Sequence, residues 1–159
     1  MIFTAIFRVS CTATSVPQDP AIKAEYMNKN TILWADDDMD DLQMMREILQ
    51  KNGQQFQIIE VNNGREALHF LESALQQDTL PCLIILDINM PVMDGKETLT
   101  WIKKNQALSS VPVVVFTTSD SEMDRLFCQK YGTEMITKPP NFTSLESSIV
   151  KLLKFCKRK

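Results

Sequence analysis

The sequence predicts an α/β fold, a parallel β-sheet with helices packed on both faces. Short apolar runs of strand length alternate five times with longer segments whose apolar residues recur at helical spacing. The run Leu83-Ile84-Ile85-Leu86 is branched and apolar without a break, as a strand buried on both faces requires. Polar residues gather where these runs end: Asp36, Asp37 and Asp38 after the first, Asp87 after the third, Thr117 after the fourth and Lys138 after the fifth.

In chain order, Thr31 to Ala35 is the first strand and runs straight into the acidic triplet. Leu42, Met45, Ile48 and Leu49 then mark a first helix, which Asn52-Gly53 stops. Phe56 to Val61 is the second strand, Asn62-Asn63-Gly64 turns the chain, and Ala67, Leu68, Leu71 and Leu75 form the stripe of a second helix. Cys82 to Leu86 is the third strand, and Pro91 with Asp94-Gly95 forces a turn before Leu99 and Ile102 of a shorter third helix. Val111 to Phe116 is the fourth strand, ending at Thr117-Thr118-Ser119. Ser119 with Glu122 reads as a capping box opening a fourth helix, with Met123, Phe127 and Tyr131 on one face. Met135 to Thr137 is the fifth strand, closed by Lys138-Pro139-Pro140. A last helix carries Leu145, Ile149 and Leu152 inward, and its terminal Lys154, Lys157, Arg158 and Lys159 suit the negative end of a helix dipole. Connections between parallel neighbours are expected to be right-handed crossovers.

A chain of 159 residues fits one such domain. With 44% hydrophobic and 23% charged residues the composition is that of a globular protein, and a net charge of −3 implies no polyanion partner. The cysteines Cys11, Cys82, Cys128 and Cys156 are scattered, with no C-x-x-C, which favours unpaired thiols in a reducing compartment, hence the cytoplasm. No apolar run reaches membrane-spanning length. Residues 1–29 combine a short apolar patch interrupted by Arg8 with Ser, Thr and two prolines. That pattern lacks a secretory signal's basic start and long apolar core. It reads as a tail, disordered or outside the core, with Met27 a candidate start for the domain at 30–159.

One edge of one sheet thus collects several carboxylates, a hydroxyl and an ammonium. Two carboxylates about 4 Å apart repel by roughly 4 kcal/mol at an effective dielectric of about 20, so crowding them calls for a counter-ion. Few, hard oxygen donors beside a phosphate site point to Mg2+. A carboxylate in that setting can itself be a nucleophile towards a phosphoryl group, with Lys138 and Thr117 neutralising charge.

Together these segments resemble the receiver domain of two-component response regulators. The features that carry the resemblance are the acidic run after the first strand, LDINMPVMDG around Asp87, FTTS after the fourth strand and ITKPP at the fifth. They cover about Asn30 to the C-terminus. The resemblance implies a flavodoxin-like (βα)5 fold, a doubly wound parallel sheet of strand order 2-1-3-4-5. It implies that Asp87 is the phosphoacceptor, that Asp36 and Asp37 hold Mg2+ with Asp37 the direct ligand, and that Asn89 adds its backbone carbonyl. Thr117 would be the switch hydroxyl and Lys138 the conserved-type lysine, with a cis Lys138–Pro139 bond. Asn89 and Ser119 match positions that tune phosphoryl lifetime. Met135 departs from the family, which carries an aromatic switch residue there; methionine can still fill or vacate that space.

The function so implied is that of a single-domain response regulator. It takes phosphate from a histidine kinase or histidine phosphotransfer protein, assists its own Mg2+-dependent transfer and hydrolysis without being an enzyme otherwise, and signals to a downstream protein. The FTTSDSEMDR and ITKPPNF segments look like single-domain regulators that partner separate kinases, and they allow a homodimer through the fourth helix, fifth strand and fifth helix. The alternative is a phosphorylation-independent adaptor that keeps the fold and only binds. An aspartyl-phosphate hydrolase wants an acid where Asn89 stands, and no recognition helix or basic stripe supports nucleic-acid binding. Asp38, Asp40 and Asp41 read as capping and first-turn charges. His69 reads as a surface residue, Trp34 and Trp101 as packing residues, Cys128 and Cys156 as small fillers, and Met44, Met45 and Met123 as helix packing.

Overall fold

The computed structural model describes residues 30–51 and 56–156, with the backbone of Val9–Ser10. In chain order the elements are β1 (Val9–Ser10), β2 (Thr31–Ala35), α1 (Met39–Lys51), β3 (Gln57–Val61), α2 (Gly64–Gln76), β4 (Leu83–Leu86), α3 (Gly95–Lys104), β5 (Val113–Thr117), α4 (Glu122–Lys130), β6 (Glu134–Thr137) and α5 (Phe142–Cys156). The sheet runs β1-β3-β2-β4-β5-β6, so its five parallel strands take the expected 2-1-3-4-5 order. Two residues of the stretch read as a tail, Val9–Ser10, add an antiparallel edge strand against Ile58 and Ile59 of β3. Met27 and the Asn52-Gly53 stop lie outside the described residues.

Alternation along each strand sorts side chains to two faces. Leu33, Ile59, Ile84, Leu86, Val113 and Val115 pack with Ala67, Leu68 and Leu71 of α2, Leu99 and Ile102 of α3, and Cys128 of α4. Ile32, Trp34, Ile58, Leu83, Ile85, Val114 and Phe116 pack with Leu42, Met45 and Ile48 of α1 and with Leu145, Ile149 and Leu152 of α5. All four residues of β4 are fully buried, as a central strand covered twice must be. Trp34 meets Phe116 edge-on, with ring centroids 5.8 Å apart.

Turn chemistry fixes where the helices start. Asn63 accepts the Glu66 N–H and caps α2, while Asp94 accepts the Glu97 N–H and caps α3. The expected capping box at Ser119 is not formed. Ser119 Oγ donates to Asp124 instead, α4 starts at Glu122, and its N-cap residue Ser121 makes no side-chain cap bond. Met123 is 74% exposed and Trp101 lies at the surface, so neither is the buried packing residue its sequence position suggested. Leu75 likewise points outward, and Ala74 takes its place in the stripe. The expectation of unpaired thiols is corrected as well: Cys82 and Cys156 form a disulfide that joins the start of β4 to the end of α5, with Cα atoms 4.9 Å apart. Their separation of 74 residues left no spacing signal in the sequence. Cys128 is a free, buried thiol, and Cys11 lies outside the described residues.

Candidate functional site

The site lies along the C-terminal edge of the parallel strands. Backbone bonds set it: the N–H of Asp36 donates to Val61 O, that of Asp87 to Ala35 O and that of Lys138 to Thr117 O. Each strand therefore aligns its last residues with those of its neighbour, and a side chain that follows a strand emerges beside the next one. Asp36 is fully buried, Asp87 is 6% exposed, Thr117 is fully buried and Asp37 faces solvent. The carboxylates of Asp36, Asp37 and Asp87 each offer an oxygen, and these oxygens lie within 4.8 Å of one another. Asn89 is exposed on the same loop, two residues past Asp87.

The charges are held by specific partners. Asp36 accepts from the Asp38 N–H at 3.0 Å, from Trp34 Nε1 at 3.4 Å and from Lys138 Nζ at 2.6 Å. Asp87 accepts from the N–H of Ile88 at 2.8 Å, and the nearby Thr117 hydroxyl favours its charged form. Lys138 also donates to Asp41 at 2.7 Å, so Asp41 is more than the first-turn charge its position in the sequence suggests. Asp38 does cap α1, accepting from the Asp40 N–H at 2.9 Å. The Lys138–Pro139 peptide is trans, since no cis bond occurs among the described residues, which corrects the expected cis geometry.

Burial dominates the electrostatics. It pushes the Asp87 carboxyl above the usual range, against the opposing pull of Lys138, Thr117 and the Ile88 N–H. Asp36 is raised in the same way, again with Lys138 opposing. For Lys138, burial favours the neutral amine, but Asp36, Asp41 and Asp87 outweigh it and hold the ammonium above its ordinary value. A cluster of carboxylates raised by desolvation is one that a divalent cation would stabilise. Three hard oxygen donors at this spacing fit Mg2+, with Asp36, Asp37 and Asp87 to hold it.

Gly95 closes the loop. Its N–H donates to Ile88 O at 2.9 Å, and any Cβ on it would overlap the carbonyl oxygen of Asp87. Val92, between Pro91 and Met93, has φ +67°, a left-handed conformation rare for a β-branched residue. Met135, where an aromatic residue was expected, is buried in the core face shared with α2, α3 and α4.

The chain resembles known proteins over most of its described length. The family model of the response regulator receiver domain matches residues 32–150. Response regulator Rcp1 of Synechocystis sp. is 37% identical over 95 residues, which is 58% of this chain and 65% of Rcp1. Protein PilH of Pseudomonas aeruginosa is 28% identical over 123 residues, 77% of this chain and 96% of PilH. Among solved structures, the phosphorylated cyanobacterial phytochrome response regulator RcpA superposes with a TM-score of 0.74 at 29% identity, covering 81% of this chain and 94% of RcpA. The Mn2+-bound form of Rcp1 gives a TM-score of 0.71 at 31% identity, over 79% and 93% of the two chains. The chain thus spans less than two thirds of the Rcp1 sequence and nearly all of PilH.

Proposed function

The chain belongs to the response regulator receiver domain family, and from that premise we propose that it is a phosphoacceptor whose Asp87 takes a phosphoryl group from a histidine kinase or histidine phosphotransfer protein. The observation that carries the reading is the convergence of Asp36, Asp37 and Asp87 beside Lys138 at one sheet edge. Asp87 attacks the phosphorus, the P–N bond to the donor histidine breaks as the O–P bond forms, and the leaving imidazole takes up a proton. A bound Mg2+ supplies charge neutralisation for the phosphoryl oxygens. Asp36, Asp37 and Asp87, with the Asn89 carbonyl, would hold that ion, while Thr117 donates its hydroxyl to the new phosphoryl group and Lys138 turns its ammonium to the same oxygens.

Output in this reading is a changed protein-binding surface, not a reaction on a substrate. Met123 and Leu126 on α4 are 74% and 50% exposed, apolar contacts for a downstream protein or for a second copy meeting it through α4, β6 and α5. The reading places the protein in the cytoplasm, where ATP-derived phosphoryl groups are made. No described helix is long and apolar enough to cross a membrane.

The test is incubation with Mg2+ and phosphoramidate, for the protein and for Asp87→Asn. Acid-labile phosphate should appear on the former alone, and equal labelling of both would end the assignment. Mg2+ chelation should abolish labelling.

A further inference from the structure

Lys96, Asp124 and Ser119 form a polar chain outside the acceptor site. Asp124 sits in the first turn of α4, is 8% exposed, and accepts from Lys96 Nζ at 2.7 Å and from Ser119 Oγ at 2.7 Å. The Ser119 N–H donates to Thr117 Oγ1 at 3.3 Å, and its carbonyl accepts from Thr137 Oγ1 at 3.4 Å. At the other end, Lys96 follows Gly95, whose backbone is pressed against the Asp87 carbonyl.

The direction of these bonds matters. Asp124 takes the Ser119 hydroxyl proton, which leaves Ser119 Oγ to accept the Ser121 N–H at 3.3 Å. The Ser119 N–H donates to the Thr117 oxygen, and the Thr117 hydroxyl favours the charged form of Asp87. Lys96 and Ser119 both favour the charged form of Asp124 and hold its carboxyl below the usual range. The two loops that carry Asp87 and Thr117 are therefore joined through a buried carboxylate on the helix that follows.

We propose that Asp124 is a positioning residue: through Ser119 it orients the Thr117 hydroxyl, and through Lys96 and its own helix it carries movement of that hydroxyl into α4. The proposal rests on the phosphoacceptor reading and deepens it. When Thr117 turns to a phosphoryl oxygen it draws away from the Ser119 N–H, Ser119 follows, and the first turn of α4 moves with Asp124. Met135 carries no ring, and the polar chain adds a side-chain link between the site and α4 to that of the backbone.

The experiment compares the full chain with Asp124→Asn, Ser119→Ala, Lys96→Met and the Ser119→Ala/Lys96→Met double variant. It reads two quantities: acyl phosphate formed with Mg2+ and phosphoramidate, and the amide shift changes of residues 122–130 on phosphorylation. Asp124→Asn should take up phosphate more slowly than the parent and, compared at equal phosphorylation, lose about half or more of its α4 response. Ser119 and Lys96 share no hydrogen bond and each bonds its own oxygen of Asp124, so sub-additive losses would show that Asp124 links them. An α4 response of parental size in Asp124→Asn, or additive losses in the double variant, overturns the relay. No phosphate on the parent protein overturns the phosphoacceptor reading and the relay with it. Should Asp124→Asn unfold, Ser119→Ala and Lys96→Met still decide the question, because each breaks one arm and leaves the helix intact.

Discussion

Lys138 Nζ donates to Asp41 Oδ2 across 2.7 Å and so joins the end of β6 to the first turn of α1. The same ammonium reaches Asp36 at 2.6 Å, with the lysine side chain only 6% exposed. Any phosphoryl group on Asp87 has to compete with Asp41 for this cation. The Asp41 side chain is 21% exposed and its pair is partly screened, so releasing Lys138 is worth about 1 kcal/mol. Asp41→Asn should therefore raise the initial rate of Asp87 phosphorylation by roughly fivefold and lower stability slightly. Labelling rates with phosphoramidate check this, and an unchanged rate would show that the pair does not compete.

Gly95 and Gly132 make a matched pair of tests. A methyl at Gly95 would overlap backbone atoms of Asp87 and Ile88, which cannot move aside as a side chain can. Gly95→Ala should cost roughly 2–4 kcal/mol and slow phosphorylation, since the Asp87 carbonyl must shift. Gly132 has open space around it but φ +61°, so Gly132→Ala should cost only about 1 kcal/mol and leave the site untouched. Urea unfolding midpoints separate the two.

What was legible in the sequence was whatever local pattern controls. Leu83 to Leu86 announced a twice-covered strand because all four residues are apolar, and Asp36, Asp87, Thr117 and Lys138 were collected because each stands at or just past the end of a strand. What was not legible depends on reach across the fold. Asp41 looked like any first-turn acid, since its partner Lys138 lies 97 residues away. Ser119 fits a capping box as well as it fits a bond to Asp124, and the start of α4 at Glu122 moves the N-cap to Ser121. Cys82 and Cys156 meet because a sheet core and a final helix happen to end together. Met123 stays at the surface because α4 turns Asp124 and Cys128 inward, with Phe127 packed beside them.

Val92 is strained where strain can be removed. Its side chain is 73% exposed, so it contributes little burial to offset φ +67°. Val92→Asn, which tolerates that region, should raise stability by about 1 kcal/mol. The expected readout is a higher urea midpoint with an unchanged slope; a lower midpoint would mean that valine makes a contact worth more than the strain.

The Lys96–Asp124 pair predicts a pH dependence. Asp124 is held below its unfolded value, first by the Lys96 hydrogen bond and then by Ser119. Its contribution is fully present above the unfolded value of about 3.9 and is lost as pH falls through the lower, folded value. Asp36 and Asp87 are raised by burial and act with the opposite sign, so a difference measurement is needed. Stability curves of the protein and of Asp124→Asn should converge as the solution is acidified below about pH 4. Curves that stay parallel would remove Asp124 from the acid response.

The Cys82–Cys156 disulfide encloses most of the domain, and it sits at the end of the sheet away from the acceptor site. On chain-entropy grounds a loop closed over 74 residues stabilises the oxidised protein by about 4 kcal/mol, if native packing is unaffected. In a reducing cytoplasm such a bond opens readily, and the Cys82 thiol then has the Thr31 carbonyl at 3.2 Å as an acceptor, so reduction leaves the sulfur a partner. Dithiothreitol should therefore lower the melting temperature without unfolding the chain, and Cys156→Ser should melt at the reduced value whether or not reductant is present. Phosphorylation of Asp87 should proceed in both redox states, since neither cysteine reaches the site. A melting temperature indifferent to reductant, with all cysteines titrating as thiols after denaturation, would show that the two sulfurs meet without bonding.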